Sequence, residues 1–266
     1  MAPDRRAPTR RVLALILVGV IGGLLSGAFG VGGGVVMVPL LLWLTEMDQR
    51  HAAATSLVAI VPAAIVGSIT YGAGGHVDVV AAILIAVGGV GGSLIGTRLL
   101  RTLPLGWLRW LFIALLLVVA VRLFIETPSR GAGFEWTPVT IVGLVVLGLV
   151  MGIASGLFGI GGGVLVVPVL VALFGVSDLL AKGVSLLAII PTATTGTVAN
   201  ARAGLVRVSD GVIVGVAAVL ASFGGVAIAL LLTPRLSSVL FAILILATVA
   251  QLIVRAIRLG SDRSAR

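Results

Sequence analysis

Long apolar runs, broken by short polar or glycine-rich stretches, set the pattern of this chain. They fall at about 12–29, 33–45, 52–72, 78–100 and 107–125, and again at about 138–158, 162–176, 179–200, 210–232 and 236–258. The runs are continuously apolar rather than alternating, which predicts helices and argues against a β-barrel. A run of ~20 apolar residues is long enough to cross a hydrocarbon core of ~30 Å. The predicted fold class is therefore an all-α polytopic membrane protein. The run 33–45 is too short for that, at about 20 Å of helix. It follows a cluster of glycines, and so does 162–176.

The two clusters are copies of one motif. Gly23 to Pro39 reads GLLSGAFGVGGGVVMVP, and Gly152 to Pro168 reads GIASGLFGIGGGVLVVP, an offset of 129 residues. At the same offset Ser56 matches Ser185, Pro62 matches Pro191, Gly67 matches Gly196 and Gly75 matches Gly204. Each half holds five segments. Two halves with an odd number of segments must be inverted in the membrane, and inverted repeats with broken helices meeting at the midplane are a transporter pattern. The short returning segments predict half-depth hairpins with their glycine tips near mid-membrane, where irregular backbone is tolerated only inside protein or beside a cavity. The expected organisation is a basic cytoplasmic N-terminus (1–11), repeat 1 (12–125), a periplasmic linker (126–137), repeat 2 (138–258) and a frayed cytoplasmic tail (259–266). The basic start followed by an apolar run resembles a signal peptide. Retention is expected, because cleavage would remove half of the matched motif. Gly19, Gly23, Gly27, Gly148, Gly152, Gly156, Gly88, Gly92 and Gly96 recur at four-residue spacing, which predicts close helix packing.

Composition agrees with the pattern. The chain is 59% hydrophobic and only 10% charged, against ~25% charged in a soluble domain. The net charge of +9 would suggest nucleic acid in a soluble protein; here the basic residues sit at segment ends, where topology and lipid headgroups account for them. With the N-terminus inside and each of the ten segments reversing direction, fourteen basic residues fall inside and four outside; with each glycine motif a mere kink, the split is twelve against six. The first arrangement is the one favoured by the positive-inside rule. The partners implied are the bilayer and a small solute, with no nucleic acid. There are no cysteines, and His51 and His76 lie at segment ends, so no metal site, cofactor or thiol chemistry is expected. No nucleophile–base pair lies within the spans either, which argues against an enzyme.

The glycine triplets Gly32-Gly33-Gly34 and Gly161-Gly162-Gly163 each open a new helix. A helix start leaves backbone N–H groups unpaired and carries partial positive charge. Two such starts facing one another would hold an anion without a charged side chain; the plainer reading is tight packing at a hairpin tip. All nine carboxylates lie at segment ends or in loops, so an intramembrane acid suited to cation transport is not expected, and Asp78 and Asp210 are expected as N-caps. Ser56 and Ser185 are the leading neutral donors. Thr55, Thr192 and Asn200 are accessory candidates, although hydroxyls also bond back to their own helix. Lys182 would lead an anion inward or else snorkel to the interface. Phe29 and Phe158, one residue before each turn, are candidate gates or core packing.

With these residues in view, the chain resembles the sulfite exporter TauE/SafE family, also called the toluene-sulfonate uptake permease family. The likeness rests on the paired glycine motifs, on His51-Ala52-Ala53-Ala54-Thr55-Ser56-Leu57 leading to Pro62, and on Lys182-Gly183-Val184-Ser185-Leu186 leading to Pro191. It covers about residues 12–258. Val184 stands where the family tends to carry a threonine matching Thr55, leaving the second half one hydroxyl fewer. The resemblance implies a bacterial inner-membrane permease for sulfite, sulfoacetate or related organosulfonates. A passive anion channel and a non-transporting membrane sensor or interaction subunit are the alternatives. Coupling ion (a proton is one candidate) and oligomeric state, including a homo-oligomer, are left open by the residues.

Overall fold

The computed structural model describes residues 6–45, 47–125 and 133–264. Most of the expected linker, at 126–132, lies outside the described residues. So do Asp4, Glu46 and Glu126. Ten helices make up the described chain: α1 Arg6–Phe29, α2 Gly34–Leu44, α3 Gln49–Ala73, α4 Val79–Thr102, α5 Leu105–Ile125, α6 Pro138–Phe158, α7 Gly163–Phe174, α8 Asp178–Arg202, α9 Val208–Leu231 and α10 Pro234–Ser264. Among the described residues there is no strand. Among the described residues seven helices are long and apolar enough to cross a membrane, and α2 and α7 are among the shorter apolar ones. The hairpins are thus unequal. Their outgoing legs α1 and α6 have 24 and 21 residues, and their returning legs α2 and α7 have 11 and 12.

Helix boundaries follow local chemistry. Asp48 caps α3 through the His51 N–H at 2.9 Å, Asp78 caps α4 through the Ala81 N–H at 2.9 Å, and Thr137 caps α6 with Pro138 in the first turn. Ser177 caps α8 through the Leu180 N–H. Asp210 departs from the expected capping role. It sits inside the first turn of α9 and receives Arg11 Nη2 of α1 at 2.6 Å. A carboxylate there still faces the positive helix start, and a cation from the neighbouring helix holds it better than a backbone N–H does. At the other end α10 runs on to Ser264, past the expected boundary at 258.

The two halves interlace. α1 packs along α9, α4 along α6, and α3 crosses α8 at the centre. All nine stripe glycines lie in the first two of these seams. A Cβ added at Gly19, Gly23 or Gly27 would strike the backbone of Val214, Ala218 or Ser222 on α9. One added at Gly88, Gly92 or Gly96 would strike Val145, Leu149 or Ile153 on α6, and Gly148, Gly152 and Gly156 meet α4 in the same way. Contact this close replaces side-chain interdigitation with backbone dispersion, the way helices associate where no water drives them together. The outward faces carry Leu13, Ile69, Val87, Val118, Val139 and Leu220, all exposed, and Trp43, Trp107 and Trp136 are exposed at helix ends. An apolar exterior with tryptophans at its edges fits a lipid solvent.

Candidate functional site

Each glycine tip leaves its first helix through a left-handed residue and enters the second through another. Gly33 (φ 76°) precedes α2 and Gly162 (φ 83°) precedes α7, and neither helix start has a side-chain cap. A side chain at either position would be strained. The two tips lie against each other. The position of a Cβ on Gly34 is 2.5 Å from the Gly159 carbonyl oxygen, and that of a Cβ on Gly163 is 2.6 Å from the Gly30 carbonyl oxygen. Gly32 and Gly161 meet at the middle of the crossing, with Ile60 of α3 and Ile189 of α8 closing on them. Segments 30–34 and 159–163 therefore run antiparallel past one another, and each uncapped helix start faces a carbonyl of the opposite tip.

The serines hold this crossing. Ser56 Oγ donates to the Gly159 carbonyl at 2.6 Å, and Ser185 Oγ donates to the Gly30 carbonyl at 2.8 Å. Both serines are fully buried, and every residue from Ser26 to Pro39 is buried. The structure thus brings all eight leading candidates together: Gly32, Gly33, Gly34, Gly161, Gly162, Gly163, Ser56 and Ser185. It does so around a closed contact rather than an open cavity. The two serine bonds are related by the 129-residue offset.

The accessory candidates divide. Phe29 stacks on Phe241 of α10 with centroids 4.9 Å apart, and Phe158 stacks on Phe112 of α5 at 5.0 Å. Both are buried, so they pack the tips against the last helix of each half. Thr192 bonds back to the Ala188 carbonyl at 2.9 Å, as Thr194 and Thr195 do to their own helix. Thr55 is fully buried, and its hydroxyl has no partner among the described residues. Asn200 is fully buried with neither amide atom partnered, whereas Tyr71, its repeat counterpart, donates to the Gly27 carbonyl at 2.8 Å.

Lys182 neither snorkels nor lines an open path. It is 1% exposed, and its ammonium donates to Asp178 Oδ2 at 2.7 Å and to Ser237 Oγ of α10 at 2.9 Å. Its stem packs on Gly30, where an added Cβ would lie 2.6 Å from the Lys182 Cα. The charged pair therefore braces the first tip. Asp178 is buried too, and it lines a cavity of about 340 Å³ with His76, Ser177, Leu179, Leu230, Leu232 and Pro234. Sequence reasoning missed Asp178 and Ser237 as partners. The four-residue spacing of Asp178 and Lys182 on one helix was a usable signal for the pair; Ser237 had none. Outside the spans, burial works against the Asp48 carboxylate, but the His51 N–H and imidazole together hold its carboxyl below the ordinary value. No group of three or more metal-ligating side chains occurs among the described residues.

Known proteins resemble this chain in sequence over most of its length. The chain is 26% identical over 217 residues to the probable membrane transporter protein YunE of Bacillus subtilis, covering 73% of this chain and 79% of that one. It is 31% identical over 194 residues to a probable membrane transporter protein of Xylella fastidiosa, covering 72% and 73%. The family described as sulfite exporter TauE/SafE matches residues 2–123 and 144–266, spanning both glycine tips, both serines and the Lys182 pair. The chain belongs to the sulfite exporter TauE/SafE family of membrane transporters.

Proposed function

We propose that this protein is an anion carrier of the bacterial inner membrane, both termini cytoplasmic, that moves sulfite, sulfoacetate or a related organosulfonate by alternating access. The observation that carries the proposal is the crossing of the two tips. Two helix starts of like partial charge face one site, and each is met by a carbonyl of the opposite tip. If the tips part, the oxygens of a sulfonate or sulfite take the place of those carbonyls at the helix starts. The Ser56 and Ser185 hydroxyls, released from the carbonyls they now hold, turn to the same oxygens. The excess of basic residues at the ends assigned to the cytoplasm supports the orientation.

The test is flux into proteoliposomes holding the purified protein, with sulfite, thiosulfate, sulfate, a small organosulfonate and chloride, with and without a pH gradient. Saturable, counter-transportable flux of a sulfur oxyanion is expected. Gly33→Leu and Gly162→Leu should abolish it while the protein still inserts. No sulfur-anion flux from folded protein, or wild-type flux in both variants, would refute the proposal.

A further inference from the structure

The first tip is braced by charge and the second is not. Lys182 of α8 crowds Gly30 with its Cα, Cβ and Cγ, while its ammonium is held by Asp178 at 2.7 Å and by Ser237 of α10 at 2.9 Å. One turn after Ser237, Phe241 stacks on Phe29, the residue before Gly30. At the offset of 129, Gln49, Ala53 and Leu108 take the places of Asp178, Lys182 and Ser237. Ala53 packs on Gly159 as Lys182 packs on Gly30. The second tip thus has the same backbone contact without the ion pair.

The surroundings differ too. Asp178, Leu179 and Leu232 line the cavity of about 340 Å³. In the other half their neighbours' places belong to Arg50, for Leu179, and Leu103, for Leu232, and these two are bonded: Arg50 Nη2 donates to the Leu103 carbonyl at 2.9 Å. The Asp178 carboxylate therefore borders a space with room for water, each molecule needing ~30 Å³. The titratable groups facing it are Lys182 on its own helix, His76 from the turn between α3 and α4, and Tyr71 of α3, which lies within reach of its charge. α9 contributes Leu230 and Leu232, and α10 contributes Pro234 and Ser237. Arg235 is exposed, and Asp78 is occupied as the cap of α4.

We propose that Asp178 is a proton-binding site and forms, with Lys182, an acid-released latch on the first tip. A proton from water in the cavity adds to the carboxylate and makes a neutral acid. The buried ammonium then lacks its counter-charge, which is costly, so Lys182 swings its long stem into the cavity, where water solvates the charge. That movement lifts the stem from Gly30. The Gly30 carbonyl is the one that Ser185 holds and that lies over the start of α7, so its release uncovers one of the two helix starts. That the uncovered start receives a sulfur anion rests on the carrier reading above; the latch does not.

The chain has no cysteine, so Val31→Cys, next to Gly30 and 2% exposed, reports the tip alone. The probe is sulfonatoethyl methanethiosulfonate, applied to proteoliposomes at equal pH on both sides. After correction for the thiolate fraction, labelling should quicken between about pH 8 and pH 6, by at most about tenfold per pH unit, the limit for one proton. Asp178→Asn combined with Lys182→Met removes both charges and strands neither; in that background labelling should be fast at every pH. His76→Gln should keep the acid response. Exchange of labelled ethanesulfonate and sulfite in the same vesicles reads transport separately. Labelling that ignores pH, slow or acid-dependent labelling in the double variant, or an acid response lost in His76→Gln would each overturn the latch. Acid-dependent labelling in a protein that exchanges neither anion would leave the latch standing and refute the transport proposal instead.

Discussion

Replacing Gly34 by alanine isolates the tip crossing from every other role of glycine. Gly34 is the first residue of α2, so its backbone is already helical and alanine is conformationally welcome there. By helix propensity alone the change should stabilise by about 1 kcal/mol. The crossing opposes it. The new methyl would stand 2.5 Å from the Gly159 carbonyl oxygen and 2.5 Å from the Ile160 Cα, both backbone atoms that cannot rotate away. Ordinary non-bonded carbon contacts need about 3.5 Å, so the opposite tip must retreat by about 1 Å. The oxygen displaced is the one that accepts from Ser56 at 2.6 Å, and a retreat of that size removes the bond. Overpacking costs about 1–3 kcal/mol, and a buried acceptor left unpaired costs about 1–3 kcal/mol more. Set against the propensity gain, the net loss is about 1–5 kcal/mol. Gly91→Ala is the control, a helical glycine of α4 with nothing within 4 Å of its Cβ position, and should be neutral or stabilising. Unfolding of the purified proteins in mixed micelles, titrated with SDS, measures both. If Gly34→Ala unfolds with the wild-type midpoint, the tips are not in the contact described and the site built on them falls.

Lys182→Met should destabilise by about 3–5 kcal/mol, because it strands the buried Asp178 carboxylate. Adding Asp178→Asn should recover most of the loss in the same titration, and a double variant no better than the single one would contradict the pairing. Asp48→Ala should cost α3 about 1 kcal/mol through loss of its N-cap, seen as faster amide hydrogen exchange confined to residues 49–53. The same cap should be sensitive to acid. A carboxyl held below its ordinary value of 3.8 contributes fully above that value and loses its contribution as pH falls through its lower folded value, so exchange there should speed up only below about pH 4. Exchange that is insensitive to pH after correction for its intrinsic rate would exclude this role.

Period and composition made the helices legible, and the boundaries of the ten runs fall within a few residues of the helices at most ends. The glycine stripes were legible as well, because four-residue spacing has one strong physical use in a low-dielectric solvent. What the sequence hid was partnership. That Gly23 packs against α9 rather than against a helix of its own half follows from how the halves interlace, which no local pattern encodes. The paired serines were visible as a match at a fixed offset, but their acceptors, the carbonyls at Gly159 and Gly30, were not, since a backbone oxygen leaves no mark in a sequence. Lys182 was legible as a residue without a basic counterpart; its burial depended on Ser237, 55 positions away. Asp210 was assigned to capping because the competing cation, Arg11, is 199 positions off.

The seam between α1 and α9 has a consequence for biogenesis. α1 is complete at Phe29, but α9 ends only at Leu231, about 200 residues later. At a synthesis rate of ~5–20 residues per second, α1 waits roughly 10–40 s in the bilayer before its partner exists. Throughout that interval Gly19, Gly23 and Gly27 present a groove of bare backbone to lipid or to the insertion machinery. The same holds for a first half expressed alone, which has no surface of its own to cover the groove. Two copies of such a half could cover it for each other by exchanging the first helix, the domain-swapped arrangement in which the present chain is joined end to end.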